Sequence, residues 1–371
     1  MNDRLTVYID FKSPYAYLAI EPTRLLAKQL DLDIDWLPFV LDIPSYLGSA
    51  KLDASGEVAQ QARSDNQWSK VKYAYYDCRR YANLRGMTIR GTVKIWDTNL
   101  VAMGMLWAKQ QGDEILARYI DGGYGPFWKR ELDVESLPVL EKVLAEAGAT
   151  VSGFANFCNG DGADQNRQLQ AKTFDQGIFG VPTYVLGNEV FFGREHLPRI
   201  RWQCQGAMGV SPDIAYELMP DDVVENSGVR TLDVGIATAD AESCVAIPRI
   251  IALAEELDLI VNWYALERSG PRQEPDTEGD SRGARHRRYR SKNRERDQLR
   301  YMRKVVESGD TARMTAELLA ENDIHLDEGH IAPAWAGMAE MSGYVGSPVF
   351  RVGDETFVGR QHLPLIRARF G

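Results

Sequence analysis

The feature that most restricts what this 371-residue chain can fold into is that it repeats itself. Leu5–Trp36 aligns without gaps onto Leu232–Trp263 at an offset of 227, with 11 identities in 32 positions. Gly180–Arg201 aligns onto Gly346–Arg367 at an offset of 166, with 12 identities in 22. "LAKQLDLDIDW" meets "LAEELDLIVNW", and "GVPTYVLGNEVFFGREHLPRIR" meets "GSPVFRVGDETFVGRQHLPLIR". Two segments repeated in the same order describe a tandem duplication. The fall in offset means that the second copy has lost 61 residues between them.

Local patterns say what is being repeated. "LTVYID" alternates as a strand does, "LAIEPTRLLAKQL" has helical spacing, and a second strand closes at Trp36. Strand, helix, strand in this order makes a right-handed parallel unit. Near the end of copy one, "TYV" and "EVFF" flank Gly187-Asn188, a hairpin turn leading into a terminal helix. Between them, "NQWSKVKYAYYDCRRYANLRG" and "TNLVAMGMLWAKQQGDEILARYIDGGY" carry apolar residues at helical spacing, and "SLPVLEKVLAEAG" adds a shorter helix ending on Gly148. The expected organisation is an α/β domain over 1–205 with a helical insert of about 40–178. An acidic linker follows over 206–228, then a truncated and degenerate domain over 229–371.

Composition narrows the function. No apolar run approaches the roughly 20 residues that span a bilayer, and the first strand begins with no hydrophobic leader before it, so a cytoplasmic, membrane-free protein is expected. The four cysteines form no CxxC and read as buried or incidental thiols. The five histidines give no metal-ligand spacing. A net charge of −10 argues against nucleic acid as the main partner. Arg282–Lys304 runs the other way, with eleven Lys/Arg against two acids. It reads as an anion patch or, more simply, as a solvated helix face answered by acids such as Asp213, Glu217, Asp221, Asp222 and Glu225.

Ser13 and Pro14 stand where the first strand hands over to the first helix. Ser is a common N-cap, and Pro at the first helical position loses no bond, since its missing N–H has no intrahelical partner. Ser13 therefore reads as a cap, as a hydroxyl that does chemistry, or as both.

The layout as a whole is that of a thioredoxin-like fold of the DsbA-like group. More narrowly, copy one resembles the 2-hydroxychromene-2-carboxylate isomerase and kappa-class glutathione transferase family. The resemblance rests on "DFKSPYAYLA", on "FGVPTYV", on "FFGREHLPRI", and on Lys70, Tyr73, Asp77, Arg80, Ala82 and Gly86, which match a K-x2-Y-x3-D-x2-R-x-A-x3-G helix. It implies glutathione as cofactor and a small aromatic-derived substrate. Ser13 would hold the glutathione thiolate at a helix start whose N–H groups favour negative charge. Val181 would pair with the glutathione backbone ahead of a cis Pro182. Glu195 and His196 stand where the family has Asp-Arg, and Glu195 reads equally as the acidic first turn of the last helix. Tyr15, Lys70, Tyr73, Asp77 and Arg80 are candidates to hold the substrate, with Asp77 and Arg80 also readable as a surface ion pair. The implied reaction is thiolate addition to a conjugated carbon, rotation, and elimination.

With Ser13 in place of Cys and Ala16 three residues on, disulfide exchange has no thiolate to run from. In copy two, Ser13-Pro14-Tyr15 becomes Asp240-Ala241-Glu242, and a carboxylate there would repel a thiolate. That half reads as structural or regulatory, packed with the first as an internal pseudo-dimer, with a homodimer also open. The alternatives to an isomerase are a kappa-type transferase and a non-catalytic binding protein.

Overall fold

A computed structural model describes residues 4–53, 58–266, 278–327 and 347–371. Gly346, where the second repeat match begins, lies outside them. The described residues divide into two compact units. The first comprises residues 4–64, 74–208 and 279–289; the second comprises 65–73, 209–278 and 290–371, as far as these are described. Among the described residues, no helix is long and apolar enough to cross a membrane.

In the first unit, β1 (Leu5–Ile9) runs into α1 (Pro14–Leu30), which returns through β2 (Ile34–Pro38) parallel to β1. Leu5, Val7 and Ile9 are fully buried, so the strand is held by its apolar side chains. Helix α1 ends at Asp31 in the left-handed region (φ +53), whose N–H bonds to the Ala27 carbonyl. The sheet is completed by the hairpin β5 (Thr183–Leu186) and β6 (Glu189–Phe192), giving the order β2-β1-β5-β6. The hairpin turns on Gly187 at φ +57, a conformation that costs glycine little.

Between β2 and β5 lies the insert. It contains the short helix α2 (Pro44–Leu47), a two-stranded sheet of β3 (Ala50–Leu52) and β4 (Val58–Gln61), and then helices α3 (Asp65–Leu84) to α8. The small sheet was not expected in a helical insert. A stretch readable as one helix is two, α4 (Asn99–Lys109) and α5 (Asp113–Trp128), parted at Gly112, whose φ of +132 no helix accommodates. The rest are α6 (Leu137–Glu146), α7 (Phe154–Asn159) and α8 (Asp161–Asp175). After β6 come a 3-10 turn over Arg194–His196 and α9 (Leu197–Cys204).

The second unit repeats the plan. Strand β7 (Thr231–Ile236), helix α10 (Ala241–Leu257) and the parallel β8 (Ile260–Ala265) are joined by the hairpin β9 (Val349–Val352) and β10 (Glu355–Val358), in the order β10-β9-β7-β8. The register repeats as well. Val7 pairs with Trp36 and Tyr184; Val234, 227 residues on, pairs with Trp263 and Phe350. Helices α11 (Arg282–Tyr301), α12 (Arg303–Glu307) and α13 (Thr311–Glu321) precede the hairpin, and a 3-10 turn over Arg360–His362 leads into α14 (Leu363–Phe370).

Two expectations about organisation change. The stretch 209–228 groups with the second unit. Asp213 grips Arg360 with both carboxylate oxygens (2.8 and 3.0 Å), and Tyr216 N and Ser227 N donate to the Gln361 and Arg369 carbonyls. The arginine-rich run forms α11 and the start of α12. Its described ion pairs include Arg282–Asp42, Arg285–Asp175 and Arg300–Asp297. Asp213, one of the acids expected to answer it, instead faces Arg360 and Arg249.

Candidate active site

At the end of β1 the chain turns sharply, with Ser13 N donating to the Asp10 carbonyl at 2.9 Å. Ser13 is extended (φ −98°, ψ 113°), and its Oγ accepts a hydrogen bond from Ala16 N at 3.2 Å. It is therefore an N-cap. The same hydroxyl donates to the Val181 carbonyl at 3.4 Å, and the Val181–Pro182 bond is cis. A lone pair caps the helix while the proton points across to the hairpin loop. At 3.4 Å that second bond is long and weak, so the O–H is easily redirected to a better acceptor. Ser13 and Val181 are each about one-twentieth exposed, which strengthens any charge interaction made between them.

Behind this pair the Pro182 carbonyl accepts from Gly193 N at 3.0 Å. Gly193 has φ +112, and a Cβ there would strike the Glu195 carboxylate, which folds back over it. Glu195 is half-buried, close to the loop that carries Val181. His196 lies in the core, its ring 5.7 Å from Phe191. Its counterpart His362 is buried against Phe357 at the same 5.7 Å. The imidazole is packed alike in both units.

Of the α3 residues, the structure brings Asp77 to Tyr15, whose hydroxyl donates to Asp77 Oδ2 at 3.3 Å. Arg80 lies 3.7 Å from Asp77, and both side chains are only 3 % exposed, so the expected surface pair is a buried one. Burial pushes the neighbouring Cys78 thiol well up, and the Asp77 carboxylate adds to that, while Arg194 and Tyr15 pull it down. Lys70 and Tyr73 belong to the second unit, where Tyr73 Oη accepts from Val358 N at 3.1 Å. Burial, then the charge of Arg290, holds the Lys70 ammonium below its usual range.

Four buried residues of the first unit, two of them flanking Phe11 just ahead of Ser13, are not legible as site residues in the local sequence pattern. Asp10 accepts from Leu41 N at 2.7 Å and Lys12 N at 3.3 Å, and Lys12 Nζ lies 3.7 Å from its carboxylate. Tyr124 stacks on Phe11 at 4.3 Å, with a phenol pushed well up by burial and by Asp10. Arg194 lies over the Tyr81 ring at 4.3 Å. The signal for the first two was available: Asp10 and Lys12 flank Phe11, and the aligned positions in the second copy are Ala237 and Ala239.

A serine cap facing a cis-proline loop, on a β-α-β plus hairpin frame, agrees with what comparison finds. The DSBA-like thioredoxin domain matches residues 4–205. The 2-hydroxychromene-2-carboxylate isomerase of Pseudomonas putida is 27 % identical over 205 residues, 54 % of this chain and 92 % of that protein. The isomerase of the same name from Sphingobium xenophagum is 24 % identical over 200 residues, 53 % of this chain and 95 % of its own length. A solved 2-hydroxychromene-2-carboxylate isomerase shares 25 % identity at a TM-score of 0.41, covering 55 % of this chain and 94 % of that one. With more than half its length matched, this chain belongs to the DSBA-like thioredoxin domain family.

Proposed function

We propose that the first unit is a glutathione-dependent isomerase of the 2-hydroxychromene-2-carboxylate isomerase type. The observation that carries this reading is Ser13, whose hydroxyl both caps α1 and reaches the Val181 carbonyl. The residues present suit glutathione. Ser13 offers an O–H to a sulfur, the Val181 backbone lies beside it, and Glu195 offers a half-exposed carboxylate for an α-amino group. When bound, glutathione supplies a thiolate nucleophile able to add reversibly to a conjugated carbon.

The chain's own contribution is to stabilise that charge and orient its bearer. The Ser13 proton turns from the weak Val181 contact to the thiolate, an ionised acceptor that makes a stronger bond. The first N–H groups of α1 add the positive end of the helix dipole. Tyr15, tethered to Asp77, stands two residues from Ser13 and can orient a substrate. On this reading the second unit is a duplicated half that keeps the frame and has lost the chemistry.

Calorimetric titration of glutathione into the wild type and Ser13→Ala, followed by thiolate ultraviolet absorbance, tests the proposal. A thiolate signal present in the wild type and lost in Ser13→Ala supports it; absence of binding in both sinks it. A kappa-type transferase would give the same binding result but release a conjugate, which product analysis separates. A binding protein without catalysis would take up a thiol ligand and turn nothing over.

A further inference from the structure

The ion pair of Asp10 and Lys12 is buried to 2 % and 6 % side-chain exposure, and it stands at the mouth of the turn that presents Ser13. Lys12 Nζ also donates to the Trp96 carbonyl at 3.2 Å. Other charged or titratable groups near it include Tyr124, whose phenol feels Asp10, and Lys94, which lies over the Trp96 ring at 4.3 Å and pairs with Glu135.

A buried ion pair is a weak source of stability, because desolvation offsets its attraction. The second unit closes the same turn without it. There the pair is replaced by Ala237 and Ala239, yet the turn closes through the same backbone bonds. Asp240 N donates to the Ala237 carbonyl at 2.9 Å as Ser13 N does to Asp10, and Leu266 N donates to Ile236 at 2.8 Å as Phe39 N does to Ile9 at 2.9 Å. Ser13 and the ion pair are present together in one unit and missing together in the other.

We infer that Lys12, held by Asp10, is a positioning residue that sets the charge balance at Ser13 and so favours the ionised form of a thiol bound there. This deepens the proposed function and rests on it. The chemistry is electrostatic: the thiol proton leaves to water, and no bond is made to Lys12. Both charges of the pair are buried in the turn that carries Ser13, where solvent screens them weakly; there the ammonium favours an anion held at the cap, whereas the Asp10 carboxylate opposes it.

The two partners should therefore act in opposite directions, which a merely structural pair would not do. The test is a pH titration of thiolate absorbance for glutathione bound to the wild type, Lys12→Met and Asp10→Asn, with melting temperatures alongside. Lys12→Met should raise the apparent pKa of the bound thiol by about one unit, a tenfold fall in its ionisation constant. Asp10→Asn should lower it. The double variant Asp10→Ala/Lys12→Ala, which copies the second unit, should melt within a few degrees of the wild type. Glutathione bound with an unchanged thiol pKa in Lys12→Met, or shifts of the same sign in both single variants, would overturn this inference alone. A double variant that unfolds would assign the pair to the fold. A wild type that takes up no glutathione overturns this inference and the proposed function together.

Discussion

The two units put the same backbone to different electrostatic use. In each, a strand ends in a tight turn, a polar side chain caps the helix, a cis-proline loop faces it, and a Gly-Arg turn opens the last helix. In the first unit the cap is the neutral hydroxyl of Ser13, next to a phenol at Tyr15. In the second, the cap is Asp240, and Glu242 stands where Tyr15 would. Glu242 contacts Arg360, which also receives both carboxylate oxygens of Asp213. In the second unit, carboxylates hold the Gly-Arg turn. A helix start and a proline loop thus make a frame, and what the frame does depends on which charges flank it.

The largest effect on this comparison should come from Arg360→Ala. Arg360 is 1 % exposed, and among the described residues its loss leaves the buried Asp213 carboxylate to Arg249. A stability loss of about 3 kcal/mol or more is expected, read as a fall in melting temperature, with thiol binding by the first unit retained. Ser13→Ala should reverse that profile, lowering turnover about 100-fold, or about 2.7 kcal/mol, the scale of one lost transition-state donor. Its cap loss adds about 1 kcal/mol to the stability cost. Asp240→Ala removes the matching cap in the second unit and should cost about 1 kcal/mol in denaturant unfolding while leaving turnover unchanged. If Asp240→Ala proves as damaging to catalysis as Ser13→Ala, the division of labour between the units is wrong.

The smallest effect concerns a pair of helices. Asp297, Arg300 and Tyr301 on α11 repeat the spacing of Asp77, Arg80 and Tyr81 on α3. Burial pushes the Asp297 carboxyl up to about 6, against the pull of Arg300 and Asn293. A carboxyl whose pKa is raised on folding binds more protons folded than unfolded, so stability is greatest below its unfolded value. It declines as pH rises from about 4 to about 6. Asp297→Asn should flatten that slope in melting curves taken across the window.

Much of the frame could be read before any coordinates. Alternation in "LTVYID", the Ser-Pro step and the Gly187 turn are local signals, and the repeat offsets carried them to the second unit with the register intact. What could not be read were the properties set by burial. An i,i+3 pair such as Asp77 and Arg80 has the same spacing on a wet surface as in a core, and here it is in the core. His196 is likewise buried, its ring packed against Phe191, a contact no spacing rule reports. The stretch 209–228 lacks periodicity because its bonds run to distant residues, Arg360 and Gln361 among them, and such bonds leave no local trace.

That last stretch bears on how the protein can be taken apart. A fragment begun at residue 229, the boundary that sequence pattern suggests, would keep all four strands of the second sheet. It would discard Asp213, Tyr216, Asn226 and Ser227, which bond to the turn and helix at its far end. Such a fragment would carry Arg360 into its interior without the bidentate acceptor it has in the whole chain. A cut before residue 209 would keep those bonds, yet no single cut parts the two units, because 65–73 group with the second and 279–289 with the first; a protease nick between 213 and 228 should loosen the C-terminal helix rather than release a free-standing domain.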